Sequence, residues 1–316
     1  MRLYPIAAAL ILSFPACAEW KVTENVNPEG PGKAIDVRGE DGRIIARFVY
    51  GEGQFKPYLH VFGETGEFLT NPGLDREGKP SGGYPHHRGI FIGWKIVSEL
   101  GTDDLWHMTK GCKMEVAGLQ KAVAADNQAT IIADVLWRAG RATNGSDLLV
   151  REKRTLVISR PAPKRTQIDA AFALTPERDL RLAGDLQHSG VHFRASNEVY
   201  TRQKETSYLT EPEGVSKGDQ LKWCRMLFPI GDRWYSALQL NAPANPVEEV
   251  STRAYGRFGY FFKKSLKKGE PLELRYRFVI EQAEVPAEGE NALQQRSRAR
   301  IQAQSLYDQF TSKGKT

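Results

Sequence analysis

From Arg43 to Glu281 the chain repeats one device, a short run rich in Val, Ile, Leu, Phe, Tyr and Thr that is closed by Gly, Asn, Asp or Pro. The runs are Arg43–Tyr50, Pro57–Phe62, Ile90–Val97, Gln128–Arg138, Leu148–Ser159, Thr166–Leu174, Val191–Ala195, Trp234–Leu240, Phe258–Phe262 and Leu272–Glu281. Residues of these types pack on a pleated, half-buried surface, and turn residues punctuate it. Such spacing, with hardly any helical periodicity, predicts an all-β fold, a large antiparallel β-sandwich. Roughly three hundred residues fit one such sandwich, so 19–316 is expected to be a single domain.

Alternation inside the runs tells which way side chains point. Successive strand residues face opposite sides, so Leu272, Leu274, Tyr276, Phe278 and Ile280 share a core face while Glu273, Arg275 and Arg277 share a wet one. In Val191–Ser196, His192 and Arg194 point together, opposite Phe193. Asp41-Gly42 reads as the tight turn before Arg43. Asn71-Pro72-Gly73 opens a loop that runs through Gly82-Gly83 and is a candidate for part of a site wall. Thr201–Gln220 is polar, holds Pro212 and Gly214, and reads as a mobile loop.

The tail differs. Between Asn291 and Thr311 Gly and Pro are absent while Ala, Gln and Arg abound, which predicts a C-terminal helix over about 291–311. Ala299, Ala303, Leu306 and Phe310 form an apolar stripe that packs on the sandwich, with Leu293 and Ile301 off the stripe.

Met1–Ala18 has the order of an export signal: Arg2, an apolar stretch from Ile6 to Phe14, then Ala16-Cys17-Ala18 as an A-x-A cleavage site. The mature chain then begins at Glu19 and the protein is periplasmic or secreted; cleavage before Cys17 would instead leave a lipid anchor there. No later stretch offers the about 20 apolar residues that cross a bilayer as a transmembrane helix. The net charge of +6 falls by one with Arg2. The basic tracts Lys263–Lys268 and Arg296–Arg300 lack interleaved aromatics, so they read as solvated faces and no nucleic-acid partner is expected. Cys112 and Cys224, in an oxidising compartment, either form one long-range disulfide or stay as buried thiols.

Chemistry concentrates in Tyr84-Pro85-His86-His87-Arg88-Gly89, which runs into the strand from Ile90. Pro85 disfavours helical geometry at Tyr84, so an extended backbone is expected. Gly89 leaves room for a close approach. Two of the six histidines are neighbours here. Imidazoles titrate near neutrality, Arg88 is a planar anion-binding fork, and Tyr84 and Trp94 supply flat apolar faces. Sugars and small organic acids are bound by that mixture.

Pro85–Trp94, followed by Asp104-Leu105-Trp106-His107, resembles the signature of a bacterial family of exported proteins, the PmoA-like family. The resemblance continues through Leu148–Leu174 with Glu152, Arg154 and Asp169, through Gly190–Arg194 and Trp234–Pro246, and ends with Arg253–Gly256 and Lys268–Pro271. The label methane oxygenase that goes with that family does not suit this chain, because a particulate methane monooxygenase subunit is a bundle of membrane helices. What the resemblance implies is a β-sandwich found in company with sugar-oxidising and sugar-cleaving proteins, hence a carbohydrate ligand. Chain size also matches the two-sheet supersandwich of aldose mutarotases, an analogy of fold alone. His188 and His192 stand outside the expected pattern.

For acid/base work the candidate catalytic residues are His86, His87, His107 and His192, with Arg88 and Arg194 holding a developing oxyanion. Candidate substrate-binding residues are Tyr84, Trp94, Trp106, Glu152, Arg253 and Tyr255. Glu152 and Asp169 either orient an imidazole or pair with an arginine such as Arg154. No metal or other cofactor is expected: adjacent histidines in an extended chain face opposite ways, and H-x-H, H-E-x-x-H and cysteine pairs are missing. His60 reads as structural. The expected function is an exported carbohydrate-active enzyme that breaks or rearranges a glycosidic or hemiacetal centre by His-assisted proton transfer. Its alternative is a non-catalytic carbohydrate-binding protein of the envelope.

Overall fold

A computed structural model describes residues 19–312 apart from 76, 126, 144 and 145. The expected export signal over 1–18, with both cleavage points and the lipid-anchor alternative at Cys17, lies outside the described residues. The strands pair antiparallel into two eight-stranded sheets and one four-stranded sheet. In spatial order the first sheet is Lys21–Val26, Lys33–Arg38, Ile44–Tyr50, Tyr58–Val61, Ile90–Gly93, Gly190–Arg194, Arg257–Phe261 and Glu249–Arg253. The second is Ser207–Glu211, Trp223–Ile230, Arg233–Asn241, Leu272–Ala283, Arg165–Pro176, Ser146–Ala162, Gln128–Thr143 and Lys113–Ala125. The small sheet joins Lys264–Leu266, Leu180–Ala183, Lys95–Ser98 and Gly101–Asp104.

The two large sheets share one core. Ile35, Phe48, Ile92, Phe193 and Phe258 of the first meet Ile131, Leu156, Phe172, Leu274 and Phe278 of the second. Each such buried side chain contributes about 1.5–3 kcal/mol relative to exposure, which is what the alternating pattern encodes. The chain is therefore an antiparallel β-sandwich with a C-terminal helix, Glu290–Ser312.

That helix corrects one expectation. Glu273 and Arg275 are wet, but Arg277 and Val279 on the same face are buried. Ala303, Leu306 and Phe310 press on Trp223, Leu238, Leu240 and Val279. Arg277 pairs with Asp169 and lies 5.1 Å from the centre of the Phe310 ring. Ala299, the fourth member of the expected stripe, is only half-buried. Leu293 and Ile301 are 72% and 69% exposed.

Two polar stretches turn out to be strands. Ser207–Glu211, inside the segment expected to be a mobile loop, is an edge strand paired with Trp223–Leu227. Lys113–Ala125 is the opposite edge of the second sheet, and its pairing slips between Val116 and Gly118 and again between Leu119 and Lys121. Cys112 and Cys224 are both buried and both free, which decides between the two alternatives for them.

The helix footprint sets a test. Leu306→Ala should destabilise by about 2 kcal/mol or more in urea denaturation, because it opens a void against Trp223 and Leu240. Ile301→Ala should stay within about 0.5 kcal/mol of the parent. Equal losses in the two variants would mean that the helix packs on another face.

Candidate functional site

The turn Tyr84–His87 is not extended. Tyr84 adopts a φ of +57° and its carbonyl accepts the His87 N–H at 3.0 Å. Pro85 disfavours the right-handed helical region for Tyr84, and the chain takes the left-handed one in place of the β region. The consequence is that His86 and His87 do not diverge: their rings lie 4.1 Å apart, centre to centre. Asn71 braces the turn, its Nδ2 donating to the His87 carbonyl at 2.8 Å and its own carbonyl accepting the Gly89 N–H at 2.9 Å. Gly89 has a φ of +53°, and a Cβ there would sit 2.3 Å from the Leu59 carbonyl oxygen, so a side chain is sterically barred.

Five of the six histidines of the sequence then meet. From His86 the imidazoles continue to His107 at 4.6 Å and from there to His188 at 4.7 Å, while His192 lies 4.9 Å from the Trp106 ring. His60 stays apart, its Nδ1 bonded to the Thr70 hydroxyl at 2.8 Å.

His107 and His188 share one local design. His107 Nδ1 donates to Asp104 at 2.9 Å and His188 Nδ1 to Asp185 at 2.8 Å, each aspartate being three residues upstream. Asp104 also accepts the backbone N–H groups of Trp106 and His107, and Asp185 that of Gln187. Each aspartate thus closes its own turn and aims its own ring, leaving Nε2 free. Burial opposes it, yet the hydrogen bonds from His107 hold the Asp104 carboxyl down at about 2. The signal was in the sequence as two D-L-x-H segments, Asp104–His107 and Asp185–His188, and went unread.

The inner wall is the outer face of the first sheet, which is dry. Arg257 Nη1 donates to His192 Nδ1 at 2.9 Å, so the His192 proton sits on Nε2 and is given to the Ser189 carbonyl at 2.7 Å. With both nitrogens engaged, His192 orients Arg257 and is not a free base. Arg194 donates to the carbonyls of Ala195, Tyr255 and Gly83 and clamps two loops, with Nε unpartnered. Arg88 points to Gln54 and the Pro85 carbonyl. His87 Nε2 accepts the Trp106 indole N–H at 3.2 Å. Lys56, unflagged by sequence, is buried with Nζ donating to the Trp106 carbonyl at 2.6 Å, and burial followed by repulsion from Arg88 pulls its pKa well down.

The outer wall is aromatic. Tyr84, 44% exposed, stacks on Tyr255 at 4.5 Å, with Tyr200 beside both. Arg253 is half-buried at this rim. Three expected substrate contacts are corrected, the first being Trp106, which is fully buried with its indole N–H given to His87. Trp94 is sealed in the shared core, its indole bonded to the Phe262 carbonyl. Glu152 is spent on Arg154 and the Trp137 indole, and Asp169 on Arg277, so neither orients an imidazole.

Among the described residues no group of three His, Cys, Asp or Glu is arranged to hold a metal ion. A cavity of about 650 Å³ lies between the C-terminal helix and the second sheet, lined among others by Arg225, Glu281, Gln295 and Gln302. It contains none of the histidines, and its Arg225 is already bound to Glu281 and Gln302. Chemistry, and not volume, marks the site.

Among solved structures, a heparan sulfate lyase mutant from Pedobacter heparinus is similar over 86% of this chain and 37% of its own, at 10% identity and a TM-score of 0.40. The chain thus spans little more than a third of the length of that lyase. A galactose mutarotase related enzyme from Lactobacillus acidophilus is similar over 84% of this chain and 98% of its own, at 9% identity and a TM-score of 0.32. No curated protein matches. A family model matches residues 35–295, and the chain belongs to that family, DUF6807, a family of unknown function.

Proposed function

We propose that this chain is an exported carbohydrate-active enzyme in which His107 and His188 form an acid–base pair at a hemiacetal or glycosidic centre. One observation carries the reading: two half-exposed imidazoles, each with Nδ1 held by its own aspartate, face each other 4.7 Å apart at an aromatic rim. An aspartate on Nδ1 fixes the tautomer, so Nε2 can take a proton from one ligand oxygen while its partner gives one to another. Tyr84, partly exposed at this rim, offers an apolar surface for a pyranose to lie against.

Burial, Lys56 and the neighbouring imidazoles push His86 down to about 3, so it stays neutral near pH 7 and adds a hydrogen-bonding group without a charge. His87 and His192 are held neutral by burial in the same way. The expected roles of His87, Arg88, His192 and Arg194 therefore shift from chemistry to positioning. A carbohydrate-binding protein without turnover would use the same rim and leave the two dyads idle.

Assays of His107→Asn and His188→Asn on glycosides, 3-keto-glycosides and anomer interconversion of free sugars test this. Each variant should lose roughly 10²–10⁴-fold in kcat, and Asp104→Asn less, mostly in kcat. Full turnover in both histidine variants removes the dyads from the mechanism, and saturable sugar binding without turnover in the parent leaves the binding role. For stability, the sign at His86 is fixed. Between the ordinary 6.5 and about 3 the unfolded chain takes up a proton that the folded chain refuses, so stability falls as pH drops through that window. Melting curves at pH 7 and pH 4 should show a smaller loss of Tm in His86→Asn than in the parent; equal losses would mean that His86 is not desolvated.

A further inference from the structure

Among the described residues six arginines are buried, and they divide by location. Away from the histidines each has a carboxylate: Arg47 holds Asp36 and Glu29, Arg154 holds Glu152, and Arg277 holds Asp169. At the histidine site Arg88, Arg194 and Arg257 make hydrogen bonds only to neutral groups. Lys56 beside them also lacks an ion pair among the described residues. The two aspartates that face this cluster, Asp104 and Asp185, are occupied by His107 and His188.

The unpaired groups are contiguous. Arg194 lies 5.2 Å from the centre of the Tyr255 ring, Arg257 lies 6.0 Å from that ring and 5.7 Å from Trp106, and Lys56 lies 5.7 Å from Trp106. At the rim Arg253 is half-buried and donates only to the Thr252 carbonyl. Burying a charge without a counter-charge is expensive. Its signature is visible: burial pulls Arg194 down to about 10 and lowers Arg257, with repulsion from Arg253 adding to the latter. Arg257 has five N–H donors and uses three, and Arg194 Nε has no partner. Among the described residues every buried guanidinium away from the histidines is paired with a carboxylate, and here that negative charge is missing.

We infer that the sugar taken by this site is an acidic one, a pyranose carrying a carboxylate or a sulfate group that is received by Arg253 at the rim and by the field of Arg257 and Arg194 behind it. A neutral sugar offers hydroxyl dipoles only and leaves these charges uncompensated. The inference rests on the carbohydrate reading above and narrows its substrate class.

Titration calorimetry on the full-length protein with ring-matched pairs tests it: glucose against glucuronate and glucose 6-sulfate, galactose against galacturonate, with acetate and inorganic sulfate as sugar-free anions. The acidic member of each pair should bind at least tenfold more tightly than the neutral one, and the advantage should shrink as salt rises from 50 to 500 mM. Carboxylate and sulfate arms show which anion the site prefers. Arg253→Gln, at a half-exposed position with one neutral contact, should narrow the acid-to-neutral ratio at least threefold with Tm within two degrees of the parent. Equal affinity within the pairs, or a preference that ignores both salt and Arg253→Gln, overturns the inference and leaves the carbohydrate reading standing. Binding of acetate or sulfate with no sugar bound, or no binding by any of these compounds, overturns both.

Discussion

A guanidinium gives up its hydration reluctantly, and the outer face of the first sheet buries two of them within one small area. Arg194 and Arg257 project from neighbouring strands, and loops carrying Trp106, Tyr255 and the Tyr84–His87 turn close over them. What makes this tolerable is a dense set of neutral acceptors: backbone carbonyls for Arg194, and the Tyr255 hydroxyl, the Ser251 hydroxyl and a neutral His192 for Arg257. Hydrogen bonds to neutral groups satisfy the donors but leave the net charge in place. Electrostatics and loop placement are thus one problem with one solution.

The consequence is that the strands Ile90–Gly93, Gly190–Arg194 and Arg257–Phe261 of that sheet are buried on both sides. Its inner face meets the second sheet through Ile92, Phe193 and Phe258, and its outer face carries the polar wall of the site. Strand walls are stiffer than loops, so the inner side of the histidine cluster is held by the fold itself while His86, His107 and His188 come from turns. Each of those turns is tied down separately, by Asn71 under His87, by Asp104 under His107 and by Asp185 under His188.

Much of this was legible in the residues. Period-two alternation exposed the inward-facing set from Leu272 to Ile280 and placed His192 with Arg194, because pleating leaves a strand no other choice. Strands such as Lys113–Ala125 escaped notice: at a sheet edge, small and charged residues need not alternate with large apolar ones. Trp94 was misplaced because a tryptophan looks the same in sequence whether its indole finds a ligand or the Phe262 carbonyl. The Tyr84 turn was misjudged for a related reason. A proline removes one backbone region for the residue before it, and tertiary contacts choose among those that remain. Arg257 and Lys56 were invisible, since nothing local distinguishes a cation that will be buried without a partner.

The 13-residue strand Lys113–Ala125 borders the second sheet, with its Met114 N–H given to the Phe55 carbonyl and the rest of its outer side turned away from any sheet partner. A flat ribbon of that length is a template on which another chain could dock and propagate. Its two slips in pairing, near Val116 and near Leu119, interrupt the regular spacing of the backbone groups, and Lys121 places a charge on the border while Lys113 is paired with Glu115. Irregular pairing of this kind breaks the even template that fibre-like stacking needs, and it does so without a covering helix.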